Sequence, residues 1–158
     1  MTKLMLIAAF SLASPMIDGA PGRKAPPVPD FTQGDKIGQR HDWNLGPTGL
    51  RGWMWGWKTE TTKARQIYVT KVDHDSPADG VLKIGDVILG VGDKLFEQDA
   101  RHALGLAIEA AEANDGKLAV TRWRDGKIEI VSIQLVALGS YSDSAPHGCL
   151  KSDKILTA

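Results

Sequence analysis

Three tryptophans, Trp53, Trp55 and Trp57, stand at every second position of "GPTGLRGWMWGWK", residues 46–58. In an extended strand that spacing puts all three on one face, with Met54 and Gly56 on the other. Each buried tryptophan covers roughly 200 Å2, so the segment needs a second layer to pack against. Two placements are open. The rings line a ligand groove, or one or two enter the core while another packs on a neighbouring domain or on the chain's own linker. A contiguous exposed stripe would mark an interface.

The segments that follow supply the second layer. "RQIYVTKVD" (65–73) is β-branched and alternating, with Ile67 and Val69 on one face, and predicts a strand. Ser76 is a fair N-cap and Pro77 suits the first helical position, so a single helical turn is expected there, stopping at Gly80. "GDVILGVGDKLF" predicts a strand from Val87 to Val91, a tight turn at Gly92-Asp93 and a short return strand. In "DARHALGLAIEAAEAND" the apolar residues Ala100, Ala103, Leu104, Ala107, Ile108 and Ala111 fall on one helical face. Asp99 is placed to cap this helix, and Asn114-Asp115-Gly116 to end it. "KLAVTRWRDGKIEIVSIQLVAL" predicts a hairpin whose Asp125-Gly126 pair suits a type I′ turn. The expected fold is α+β and mostly β: a small half-open antiparallel barrel capped by one short and one longer helix.

Composition bounds the rest. The 158 residues hold 19 Lys+Arg and 19 Asp+Glu, a balance unlike the basic footprint of a nucleic-acid binder. The local cluster of Lys117, Arg122, Arg124 and Lys127 reads as a solvated hairpin edge. Lys3 followed by the apolar run Leu4–Ala13 fits a signal peptide and is too short to span a bilayer. The expected order is a signal peptide at 1–20, a Pro/Gly-rich linker at 21–40, one domain at 41–138 and a polar tail, or the start of a following region, at 139–158. An exported protein, periplasmic or secreted, follows from the leader. The single Cys149 excludes an intramolecular disulfide framework.

"VTKVDHDSPADGVLKIGDVILGVGDKLF" resembles the bacterial form of the PDZ domain found in exported proteases and chaperones, and "VTRWRDGKIEIVSIQL" is similar to that family's closing hairpin. The resemblance covers roughly 41–138. "HDWNLGPTGLRGWMWGW" with the tail "YSDSAPHGCLKSDKIL" also looks like the opening part of larger exported bacterial proteins. PDZ domains take an extended peptide or a protein's C-terminus as an added strand between a sheet edge and the second helix. The resemblance therefore implies a carboxylate-binding loop of amides at Gly49, Leu50, Arg51 and Gly52, and an edge strand through Trp53, Met54 and Trp55. Arg51 would add charge there. His102, Leu104 and Ala107 would line the helix side, although the helical pattern sets His102 off the apolar stripe.

Catalytic motifs are lacking: there is no Gly-x-Ser-x-Gly, no His-Glu-x-x-His and no pair of Cys-x-x-Cys. His147 beside Cys149 lies in a polar terminal stretch and reads as an inert thiol's neighbour. Asp73, His74 and Asp75 read as a solvated turn. No cofactor and no metal is implied. The expectation is a non-catalytic module that docks an extended peptide or a polypeptide terminus, from another protein or from another domain of its own. The alternatives are the regulatory front end of a longer exported hydrolase or protease, and a packing domain whose groove is filled by its own linker. No nucleic acid, and no membrane beyond the leader, is expected as a partner.

Overall fold

The computed structural model describes residues 24–37 and 42–139. The leader, His41, His147 and Cys149 lie outside them. The strands are β1 (Trp43–Asn44), β2 (Leu50–Trp53), β3 (Ile67–Val72), β4 (Val87–Val91), β5 (Lys94–Leu95), β6 (Lys117–Arg124) and β7 (Lys127–Gln134). One α-helix, α1 (Ala100–Ala113), lies between β5 and β6. All strand pairs are antiparallel, in the order β1-β2-β3-β4-β6-β7, with β5 attached to β4. The sheet is open rather than closed, so β1 and β7 are its two borders.

Local chemistry explains the clearest elements. Asp125 (φ 49°) and Gly126 (φ 83°) are both left-handed, as a type I′ turn requires, and β6 and β7 pair in unbroken register from Lys117↔Gln134 to Arg124↔Lys127. Asp99 caps α1, its carboxylate accepting from the Arg101 and His102 N–H groups. Ala100, Leu104 and Ala111 are buried from α1 against β4 and β6, with Ala103, Ala107 and Ile108 partly buried beside them. Gly90 sits at the irregularity of β4: a Cβ there would lie 2.0 Å from the Lys94 carbonyl oxygen, so β5 can close on β4 only over a glycine.

Three expectations are corrected. Residues 76–80 form turns and no helix, because the bonds Asp79 N–H to Ser76 O and Leu82 N–H to Ala78 O do not continue into a ladder. Left-handed Asp75 and Gly80 bracket the segment and halt propagation. The aromatic strand lies earlier than the alternation suggests: β2 ends at Trp53, and Trp55 and Trp57 follow it in a loop. The region read as linker is also anchored. Phe31, in the 3-10 turn Phe31–Gln33, is only 4% exposed and joins the core. Asp30 fastens that turn, accepting from Thr32 and from the Gln66 side chain.

The core runs under the sheet through Leu50, Ile67, Val69, Val87, Ile88, Leu118, Val120 and Ile133, all nearly sealed from solvent. Asp86 is fully buried and is held by Arg124 through two bonds of 2.6 Å and by the Lys83 N–H. This pair ties the β6–β7 end of the sheet to the loop before β4.

Candidate functional site

The glycine loop before β2 is compact. Gly46–Thr48 make a 3-10 turn with Pro47 near its start, and Gly49 (φ 74°) closes it. A side chain at Gly49 is doubly excluded, by that left-handed φ and by Ser76, whose Cβ would lie 2.1 Å from the added carbon. Of the amides expected to face a ligand, those of Gly49 and Leu50 are engaged within the loop, and Arg51 and Gly52 lie in β2, paired with β1 and β3. Gly46 N–H donates to the Asn44 side chain, Gly49 N–H to Gly46 O and Leu50 N–H to the Thr48 hydroxyl. Leu50 itself is core. The loop therefore does not present an open nest of amides, because its length lets it satisfy its own donors.

The outer border of β2 is paired. β1 lies antiparallel on it, Trp43 opposite Gly52 and Asn44 opposite Arg51. Leu45 N–H donates to Leu50 O at 3.0 Å, which extends the ladder by one bond. Arg51 holds a carboxylate, and that carboxylate belongs to Asp42 of the same chain. The Arg51 Nε is 2.7 Å and Nη2 2.6 Å from Asp42 Oδ1, Nη2 also donates to the Asp42 carbonyl, and Thr70 Oγ1 donates to Asp42 Oδ2 at 2.5 Å. Hydrogen bonds from Arg51 and then Thr70 hold the Asp42 carboxyl below its usual 3.8. The same pairing raises the Arg51 guanidinium above its usual range.

The tryptophans divide between the two open placements. Trp53 and Trp55 are buried, Met54 between them is buried as well, and Trp57 is half-buried. Phe31 meets Trp53 edge-on at 5.6 Å, and the Trp55 Nε1–H donates to Pro26 O at 3.2 Å. The Pro-rich arm therefore covers these rings, which matches the packing of one ring on the chain's own linker. On the helix side, His102 is exposed, Leu104 is in the core and Ala107 is partly buried. Leu104 thus supports the sheet and does not line an accessible wall.

Beside this border lies a cleft of about 370 Å3, lined by Trp43, Trp53, Met54, Lys58, Thr61 and Arg101 among others. The Arg101 guanidinium rests over the Trp43 ring at 5.0 Å. Thr61 donates to Asp99, the cap of α1, which joins the loop after β2 to the start of the helix. A second cleft of about 540 Å3 opens at the other side, where Leu89, Phe96, Trp123 and the exposed Leu95 and Ile128 meet the arm at Thr32. His74, Asp75 and Asp79 bring ligand atoms within 4.8 Å of one another, but all three are exposed on a turn.

Asp42, Trp43, Phe31, Lys58 and Arg101 were not singled out by sequence reasoning. Asp42 finds Arg51 9 residues on, Phe31 finds Gln66 35 residues on, and Arg101 reaches back 40 residues to Thr61. None of the five sits in a periodic pattern. Only the two acids flanking "FTQG", Asp30 and Asp35, hint at an anchored turn. The described residues define an α+β, mostly-β domain: one open antiparallel sheet with one helix packed on it. No family pattern matches the protein, and no curated protein matches it. Among the described residues, no helix is long and apolar enough to cross a membrane.

Proposed function

We propose that this protein is a non-catalytic, PDZ-like binding module that takes an extended peptide or protein segment at the outer border of β2. One observation carries the reading: that border already holds an extended segment in antiparallel sense, the protein's own β1. β1 is two residues long, and both of its side chains are exposed. It is fastened by the Asp42–Arg51 pair, by the Thr70 bond to Asp42 and by Arg101 over the Trp43 ring, beside its main-chain ladder. A ligand segment of the same sense exchanges for β1 and makes its main-chain bonds at Leu50 and Gly52, the positions whose main-chain groups face β1. The exchange lowers apparent affinity by the fraction of time that β1 is seated. Binding is accordingly weak to moderate and gains from tethering. The apolar leader supports an exported, periplasmic or secreted, setting for the module.

A second reading rests on the same pairing: β1 stays seated, and the domain serves only to pack against a partner. A covalent lock separates the two. Leu45 and Leu50 share a ladder bond, so Asn44 and Arg51 fall at the close, non-bonded position of the ladder, which suits a disulfide. In a Cys149→Ser background, Asn44→Cys with Arg51→Cys is titrated with free-carboxylate and amidated hexapeptide libraries. Binding in the reduced form that disappears on oxidation supports exchange. Equal binding in both forms removes the border from consideration. Absence of binding in wild type, in the reduced pair and in Asp42→Ala leaves the packing reading.

A further inference from the structure

We propose that the cleft at the end of β2 receives an acidic side chain of the bound segment, with Lys58 and Arg101 supplying the charge. The inference rests on the strand-addition reading and names the ligand class. β1 pairs with β2 only as far as Trp43↔Gly52, so the cleft beside Trp53 and Met54 continues the same border past the point where β1 stops. A segment laid along the border runs into it.

The lining is built for an anion carried on an apolar stem. Trp53 and Met54 supply the apolar wall that stays in place when β1, and Trp43 with it, gives way to the segment. Among the described residues, Lys58 makes no ion pair. It sits at the tip of a tight hairpin closed by two Trp57–Glu60 main-chain bonds of 2.9 Å. Its φ of 55° is unusual for a side-chain-bearing residue, so its position is fixed by the turn and not by chance exposure. Arg101 touches Thr61 at 3.4 Å, and its guanidinium, stacked on Trp43 while β1 is seated, is uncovered when β1 leaves. The nearest carboxylate, Asp99, lies 3.8 Å from Arg101, and its two oxygens are already committed, one to the α1 amides and the other to Thr61. Lys58 and Arg101 are the charged residues of the lining and both are cations, while Glu60, on the same hairpin as Lys58, is paired with Lys63. Charge complementarity thus selects a segment bearing Asp or Glu over one bearing Lys.

The experiment uses the full-length protein and acetylated hexapeptide pools, each in an amidated and a free-carboxylate form, whose fixed position carries Glu, Gln or Lys. Binding is read from tryptophan fluorescence at low and at high salt. The expected result is about fivefold tighter binding of the Glu pool than of the Lys pool at low salt, a preference that shrinks with added salt. Lys58→Glu and, separately, Arg101→Gln should each reduce that preference, and Lys58→Glu should leave thermal stability unchanged. If Glu, Gln and Lys pools bind alike, the acidic preference is wrong while strand addition stands. If only free-carboxylate peptides bind, the cleft does not read a side chain and the inference also falls. If no pool binds wild type or Asp42→Ala, strand addition itself falls, and this inference with it.

Discussion

The two borders of the sheet are managed in opposite ways. At one, β2 is covered by a two-residue strand, clipped by Asp42 and Arg51 and backed by buried Trp53, Trp55 and Phe31. At the other, β7 runs eight residues with Ile128 and Ile130 each about 60% exposed, and Lys127, Glu129, Ser132 and Gln134 interrupt the apolar side chains. An edge strand offers unpaired main-chain groups to any passing polypeptide. The protein uses its side chains to shield the first border and leaves the second to its charges. The first border already holds a short, exposed and ion-paired segment in antiparallel sense, whereas among the described residues β7 pairs with nothing on its outer side. That difference is why the binding proposal falls on β2 rather than β7.

The largest effect expected concerns the aromatic backing of the first border. Trp53→Ala removes a ring that is 8% exposed and that Phe31 meets edge-on. The cost expected from urea denaturation is about 3–5 kcal/mol. The matched change on the second border, Ile130→Thr, should stay within about 0.5 kcal/mol, since the side chain is already in water. Similar losses at the two sites would erase the contrast between a backed border and an open one.

Next comes the clip that fastens the second border to the body. Arg124→Ala strips the fully buried Asp86 of its partner, leaving a carboxylate with the Lys83 N–H as its remaining bond. Uncompensated buried charge of this kind costs roughly 3 kcal/mol or more. Arg124 also bonds the Val81 carbonyl, so Arg124→Lys, which keeps the charge and loses the fork, should recover only part of the loss. Full recovery by lysine in a denaturation series would show that charge alone matters there and that the two-pronged geometry does not.

Much of this arrangement is legible in the sequence, for reasons tied to range. The helix from Ala100 to Ala113 and the hairpin at Asp125-Gly126 are written in local patterns, periodicity and turn chemistry, and both are found where expected. β1 has no such signature: Trp43 and Asn44 form a strand only because Gly52 and Arg51 are brought beside them. Trp55 is placed by a bond to Pro26, 29 residues earlier, which no window of local sequence contains. The "GPTGLRG" loop misled for a different reason. Its glycines do mark left-handed turns, at Gly46 and Gly49, but a turn rich in glycine can consume its amides internally as readily as display them. The candidate site is thus poorly legible, since its new members act through partners distant in sequence.

The smallest effect, and the sharpest for the comparison, is acid release of β1. Asp42 has its carboxyl held below the usual 3.8 by bonds from Arg51 and Thr70. A lowered folded value means that the stabilisation is fully present above the unfolded value and is lost as pH falls through the folded one. The β1 clip should therefore open below about pH 3.8. Hydrogen exchange at the Leu45 amide, which bonds Leu50 O, should accelerate in that window relative to the Val120↔Val131 centre of the β6–β7 ladder. Asp30 titrates in the same direction, lowered by its bonds from Thr32 and Gln66, and its protonation loosens the Phe31 turn as well. Asp42→Asn isolates the clip, because it leaves Asp30 untouched and removes the ionisable group from β1. In that variant the Leu45 amide should exchange fast at every pH and lose its own acid step. An acid step at Leu45 that persists undiminished in Asp42→Asn would assign the release to the arm and leave β1 without a clip of its own.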